Sequence, residues 1–140
     1  MERLARSVVT AILWLSLSGC STILVVNVSG ELQRPVFTPE RRAGPICLST
    51  LTIHKAVESQ PEGQPVWKIE ARKGECIGFA RLAYGEAPDG FVELIPAAPL
   101  VPEVVYSARG RGDIRGPLGA IWVGGGSYIF SGDAWRRYPR

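Results

Sequence analysis

The chain has 140 residues, a formal net charge of +3 at pH 7 and 46% hydrophobic residues. That length fits one domain with a single core, and the small positive charge does not predict a nucleic-acid partner. Because 16 Gly and 11 Pro are spread along the chain, long helices are disfavoured over most of it.

The first twenty residues have the layout of a secretory signal. Arg3 and Arg6 supply positive charge, an uncharged apolar run covers residues 7–17, and two small residues precede Cys20. The apolar core of about a dozen residues is short for a membrane span. The tetrapeptide Leu-Ser-Gly-Cys at residues 17–20 resembles the lipobox of bacterial lipoproteins.

In that family the Cys thiol receives a diacylglycerol and the peptide bond before it is cut. The resemblance therefore implies a signal peptide at residues 1–19, a lipid on Cys20 and a mature domain over residues 20–140. The residue after the Cys is Ser21, not Asp, which in a Gram-negative cell implies the periplasmic side of the outer membrane. The alternative is one uncleaved transmembrane helix over residues 7–29, whose second half contains β-branched residues that suit a strand better.

Two cysteines remain if Cys20 carries lipid. An even pair in an oxidising compartment predicts a disulfide between Cys47 and Cys76, and two buried free thiols are the alternative. The chain has one His and no Cys-x-x-Cys motif, so neither a metal site nor a cofactor is predicted.

The remaining sequence consists of short apolar segments separated by Gly and Pro, which predicts an all-β domain. Residues 66–71 alternate cleanly, with Trp67, Ile69 and Ala71 on one face. The run Gly124–Gly126 predicts a tight hairpin. In chain order, the predicted strands cover residues 23–28, 33–37, 46–54, 66–71, 76–84, 91–95, 104–109, 120–123 and 127–130.

Leu100, Pro102 and Tyr106 are spaced as in the L-x-P-x-x-x-Y signature of fibronectin type III-like domains, which this stretch resembles. The resemblance implies a tyrosine corner, with the ring in the core and the hydroxyl bonded to upstream backbone. Glu103 stands where that pattern commonly has Gly. The fold implied is a single Ig-like antiparallel β-sandwich with Trp67 in its core. A transthyretin-like sandwich is the alternative fold, and an ordinary half-buried strand tyrosine is the alternative for Tyr106.

The sequence does not predict a catalytic residue or a small-molecule substrate. His54 is the only histidine and is expected on the polar face of its strand. A hydrolytic triad needs a nucleophile beside such a base, and no motif supplies one. Glu86 and Asp89 lie in a Gly/Pro turn, where acidic side chains commonly bond their own backbone.

Two basic stretches supply the candidate binding residues. The segment RGRGDIRG, residues 109–116, predicts a loop that contacts anionic lipid or glycan, mediates adhesion through Arg-Gly-Asp, or is simply solvated. The tail DAWRRYPR combines aromatic residues with Arg, as interface anchors do, although packing of Trp135 on the sandwich edge is favoured. The candidate binding residues are Arg109, Arg111, Asp113, Arg115, Trp135, Arg136, Arg137 and Tyr138.

The sequence thus predicts an exported, lipid-anchored envelope protein that binds or assembles with a protein partner and is not an enzyme. One alternative is an inhibitor that plugs an envelope-attacking hydrolase with residues 109–116. The other is adhesion, or glycan or lipid binding, through the same loop.

Overall fold

In the computed structural model, the residues described are 21–40, 46–73, 75–114 and 120–139. They form strands, turns and bends and contain no helix, so the all-β prediction is confirmed for them. Accordingly, none of these residues belongs to a helix that could cross a membrane. The predicted signal peptide, the predicted lipidation site Cys20 and the candidate Arg115 lie outside the described residues.

The described strands are β1 (Ser21–Glu31), β2 (Arg34–Pro39), β3 (Cys47–Leu48), β4 (Thr50–Val57), β5 (Gln60–Ala71), β6 (Ile77–Gly78), β7 (Leu82–Ala83), β8 (Phe91–Ile95), β9 (Val105–Ile114), β10 (Ala120–Ser131) and β11 (Ala134–Arg137). The larger sheet has the order β7-β2-β1-β10-β9-β4-β5-β8, with β11 beside β10, and β3 pairs with β6 separately. Strands β1 and β10 are parallel. The fold is therefore a curled mixed sheet. The predicted antiparallel arrangement is wrong for β1 and β10, and the Ig-like sandwich stays a prediction.

Strand β1 belongs to two parts of this sheet. Residues 21–25 pair in parallel with β10, and residues 26–31 pair antiparallel with β2. Beyond that switch, β11 occupies the edge of β10. The uncleaved helix predicted as an alternative over residues 7–29 is wrong over 21–29, because this β-branched stretch is a strand.

The core is built around two fully buried tryptophans, Trp67 and Trp122. Ile69 and Ala71 are buried on the same face of β5 as Trp67, which confirms the alternation predicted for residues 66–71. The Trp67 indole N–H donates a 2.9 Å hydrogen bond to a Glu93 carboxylate oxygen. That bond satisfies the donor of a buried ring.

Tyr106 forms the contact that the tyrosine-corner signature predicts. Its ring is 4% exposed, and its hydroxyl oxygen accepts a 2.9 Å hydrogen bond from the Val101 backbone N–H. Leu100 is also buried. Glu103, which stands where the pattern favours Gly, has a φ of 60°, a left-handed conformation that is strained for a residue with a Cβ.

The predicted hairpin at Gly124–Gly126 is wrong, because β10 runs unbroken from Ala120 to Ser131. These glycines serve close packing instead. A Cβ on Gly124 would overlap the Leu24 carbonyl oxygen, and one on Gly126 would overlap the Tyr128 ring. The tight turn comes later, where Gly132 and Asp133 have φ values of 58° and 64° and lead into β11, a strand that the sequence did not predict.

The predicted loop at residues 109–116 is also wrong over residues 109–114. These residues belong to β9, which pairs with β4 on one side and β10 on the other. Gly110 and Gly112 lie on its buried face, where a Cβ on Gly110 would come within 2.7 Å of the Trp122 ring. Glycine is needed here because an indole and a carbonyl group fill the space, not because the chain turns.

Cys47 and Cys76 are joined by a disulfide, with their Cα atoms 5.2 Å apart, in agreement with the predicted pairing. Strand β3 carries Cys47 beneath β9, where the Trp122 indole N–H donates a 2.7 Å hydrogen bond to the Cys47 carbonyl oxygen. The bridge and the buried indole therefore hold the same short strand.

Candidate functional site

The candidate functional site is the solvent-facing side of β1, β10, β9 and β4, which we call the outer face. Strand β9 sets its character by period-two alternation. Every second residue from Tyr106 to Gly112 is buried, whereas Arg111 and Asp113, on the opposite face, are exposed. The same alternation that turns the glycines of β9 towards the core therefore turns the charged residues of β9 towards solvent.

Strand register places three of the predicted binding residues in rows on this face. Arg109 is paired with Thr52 of β4 and Gly125 of β10, while Arg111 is opposite Val123. Asp113 follows on the same face. The Arg-Gly-Asp sequence therefore lies within a paired strand and not at a loop tip, so both alternative functions that used it as a loop lose that basis over residues 109–114.

The hairpin of β4 and β5 borders one end of the outer face. There it forms a cleft of about 380 Å³ whose lining includes Gln60, Glu62, Ser107 and Arg109. Arg109 and Glu62 lie 4.0 Å apart, with the Glu62 side chain 85% exposed. A pair this exposed contributes little to stability, and its groups are accessible to a polar ligand.

His54 lies beside this cleft on the outer face, as the sequence predicts. Its strand neighbours Leu51 and Ile53 are buried. Burial lowers the pKa of the His54 imidazole below 6.5, the nearby Arg109 lowers it further, and Glu62 raises it. The lowered pKa therefore favours the neutral form of the ring.

The His54 ring does not have the geometry of an activated base. Its Nδ1 atom is buried without a hydrogen-bond partner among the described residues. Catalytic bases are oriented by a hydrogen bond to such a ring nitrogen. The arrangement thus gives no support to a hydrolytic centre at His54.

The acidic residues considered in the sequence lie in turns, as predicted. Glu86 follows Gly85, which has a φ of 77°, and it forms an exposed ion pair with Arg34. Asp89 is exposed in the next turn.

One further acidic side chain approaches the disulfide. The Asp113 carboxylate lies within 4.8 Å of both cysteine sulfur atoms. Because the thiolate is the form that binds metal, the bonded sulfurs of Cys47 and Cys76 do not complete a metal site with it.

The tail is a strand that packs Trp135 against the core. The Trp135 ring centroid lies 5.4 Å from that of Phe130 and 6.2 Å from that of Tyr106, both edge-on. Arg136, Arg137 and Tyr138 are exposed, and an Arg137 guanidinium N–H donates a 2.9 Å hydrogen bond to the Asn27 side chain. Since β10 separates β11 from β9, the structure does not join the tail and the β9 arginines into one basic surface.

Two exposed apolar groups were missed in the sequence. Ile23 of β1 is 82% exposed beside Ile121 and Val123 of β10, which are 48% and 46% exposed. On β8, Val92 and Leu94 are 45% and 50% exposed. The signal was present in each strand, since residues two apart share a face, but the sequence did not reveal which face lacked a covering layer.

No protein-family model, curated protein or solved structure matches the chain. The function proposed below therefore depends on the residues and their geometry.

Proposed function

We propose that this protein is an exported, lipid-anchored cell-envelope protein that binds or assembles with a protein partner at the membrane surface and is not an enzyme. The observation that carries the proposal is the position of β1. It begins at Ser21, the residue directly after the proposed acylated Cys20. A lipid on that Cys would hold the folded domain against the bilayer.

The disulfide supports the exported location. Disulfides persist in oxidising compartments and are rare in the cytosol, and the bond between Cys47 and Cys76 leaves Cys20 for the lipid. Ser21 after that Cys favours the periplasmic side of the outer membrane if the cell is Gram-negative.

The partner surface we favour is the edge of β8. This strand is last in the strand order and pairs with β5. Its two exposed apolar side chains, Val92 and Leu94, lie two residues apart on one face. An open strand edge with apolar side chains can accept an added strand from another protein.

We retain the Ig-like sandwich as the finer description of the fold. The Tyr106 hydroxyl contact with Val101 and the buried Trp67 support it. So does the division of β1 between two strand partners, because it lets two parts of the sheet face one another across the core. The transthyretin-like arrangement remains the competing topology.

The test is cross-linking in intact cells followed by purification and mass spectrometry of the native chain and of Cys20→Ala. The expected result is an intact mass for the native chain that begins at Cys20 with added acyl groups, together with a defined protein partner that is lost in Cys20→Ala. An unprocessed chain, or the same cross-linked proteins in both forms, would contradict the proposal.

A second variant tests the β8 surface. In Val92→Lys/Leu94→Lys, charged side chains replace the apolar pair, which discourages strand addition at an edge. The variant should remain acylated and lose the partner. A matched control is Val101→Lys, which changes an apolar side chain that is as exposed as Val92 but lies outside the strands, and which should keep the partner.

A further inference from the structure

Three exposed apolar side chains meet at the end of the sheet where the chain enters it. Ile23 of β1 is the Cα partner of Val123 on β10, and Ile121 stands two residues earlier on the same face, opposite Ser21. The exposed fractions are 82%, 46% and 48% for Ile23, Val123 and Ile121. We call these three residues the anchor-end patch.

Single exposed apolar residues need no explanation, but a contiguous group marks a contact with another surface. Here neighbouring positions of the same strands are well packed, since Leu24 and Trp122 are 5% and 0% exposed. At this end of β1 and β10, the exposed residues of the patch therefore alternate with buried ones, so one face is packed and the other is open to solvent.

The position of the patch identifies what covers it. Ile23 is three residues from Cys20, which is about 10 Å of extended chain at roughly 3.3 Å per residue. An acyl chain on Cys20 lies in the bilayer, so this end of β1 must lie at its surface. Interfacial apolar side chains enter lipid to a depth of about 5–10 Å, which is within reach of the patch.

Charge next to the patch suits a phospholipid surface. The exposed Arg111 is the cross-strand partner of Val123, where its guanidinium can meet an anionic headgroup. Asp113 lies opposite Ile121 and partly offsets that charge. Apolar burial therefore supplies the main attraction and Arg111 a secondary one.

We propose that the anchor-end patch enters the lipid interface and fixes the orientation of the domain on the membrane, with the β1–β10 end down and the β4–β5 turn, at the opposite end of the sheet, directed away from the anchor. This inference rests on the proposed function, because it requires the lipid on Cys20. It adds a second membrane contact made by the folded domain itself.

The test places a fluorescent reporter in the patch. Ile23→Trp and Val123→Trp are made separately in the full chain, and the acylated proteins are reconstituted in phosphatidylethanolamine/phosphatidylglycerol vesicles with or without brominated acyl chains. Glu58→Trp is the control, because Glu58 is exposed in the β4–β5 turn. It lies eight residues from Thr50, which is in the same cross-strand row as Ile23 and Val123, or about 26 Å along the strand direction. Emission of the unmodified protein is subtracted.

Brominated lipid should reduce the added emission at positions 23 and 123 and leave that at position 58 unchanged. Equal emission with both lipids at positions 23 and 123, or equal loss at position 58, overturns the orientation. The intact mass of each preparation separates the two proposals. An acylated chain without quenching contradicts only the entry of the anchor-end patch into lipid. A chain without acyl groups contradicts both the proposed function and this inference.

Discussion

Glycine has an unusual role in β9, where it alternates with outward charge. Gly110 and Gly112 face inward, and the space beside them is filled by the Trp122 indole and the Cys47 carbonyl group. A glycine in a strand often marks such a close approach. The segment between Arg109 and Asp113 therefore has the composition of a loop and the position of a central strand.

The close approach at Gly112 predicts a large loss of stability on substitution. In Gly112→Ala the new Cβ would overlap the Cys47 carbonyl oxygen and lie 2.7 Å from the Trp122 indole nitrogen. The free energy of unfolding should fall by about 3 kcal/mol or more, measured by denaturant titration. Gly78→Ala is the control, since its Cβ would meet only the Ile46 carbonyl oxygen at 3.9 Å. Equal losses in the two variants would refute this account.

Glu103 predicts a gain of stability. Its φ of 60° strains any residue with a Cβ, and glycine adopts that conformation freely. Allowing for the greater entropy of unfolded glycine, Glu103→Gly should raise the free energy of unfolding by about 0.5–1 kcal/mol. Glu103→Ala, which removes the carboxylate and keeps the strain, should give no such gain. Thermal or chemical denaturation of the two variants measures the difference.

His54 predicts a pH dependence of stability. Burial, and secondarily Arg109, lowers its pKa in the folded state below 6.5, so the unfolded chain binds the proton more readily. Protonation of His54 in the unfolded chain is therefore negligible above about pH 7.5, and it reduces the free energy of unfolding as the pH falls through 6.5. Between about pH 7.5 and 5.5, the native chain should lose more unfolding free energy than His54→Gln. Parallel profiles for the two proteins would show that the imidazole does not titrate differently on folding.

At the scale of elements, strand prediction from the sequence succeeds where one face of the strand is packed and the other is exposed to solvent. The strand predicted over residues 91–95 has the observed bounds of β8, and the alternation of residues 66–71 covers the C-terminal half of β5. Prediction failed where glycine replaced the inward side chain, in β9 and β10. It also failed for β11, because four residues that end in Arg-Arg become a strand only through pairing with β10.

The disulfide joins Cys47 of β3 to Cys76, the residue just before β6, and these two strands form a separate two-stranded sheet. Strands β3 and β6 are two residues each, and the cysteines are separated by 29 positions. Replacing both cysteines in Cys47→Ala/Cys76→Ala should lower the free energy of unfolding by about 3–4 kcal/mol, since the unfolded chain regains the entropy of an open loop. Reductant should destabilise the native chain in the same way and leave the double variant unchanged. A native chain insensitive to reductant, with its bridge shown to be open, would contradict this prediction.

At the scale of the whole molecule, the sequence predicts the role of single residues better than it predicts which distant residues lie next to one another. It identified Tyr106 and its hydroxyl contact, the cysteine pair and the outward direction of His54. It could not bring Glu62 to Arg109 or Ile23 to Val123, because those meetings depend on register between strands distant in sequence. The candidate surfaces are products of that register.

The same register makes β1 both the start of the described domain and part of its core, which predicts a large effect at one residue and almost none at its neighbour. Leu24 is 5% exposed and Ile23 is 82% exposed. Leu24→Ala should lower the free energy of unfolding by about 2–5 kcal/mol, and Ile23→Ala should change it by less than about 0.5 kcal/mol. Denaturation of the acylated proteins in detergent micelles, followed by circular dichroism, measures both.

If Leu24→Ala were as stable as Ile23→Ala, β1 would act as a detachable tether and the domain could move independently of its anchor. A large loss confined to Leu24→Ala would mean that the residues next to Cys20 cannot leave the sheet without unfolding part of the core. The anchored end of the domain would then be fixed by the same packing that holds Leu24 against Gly124. A partner at the β8 edge would in that case meet a domain in one orientation.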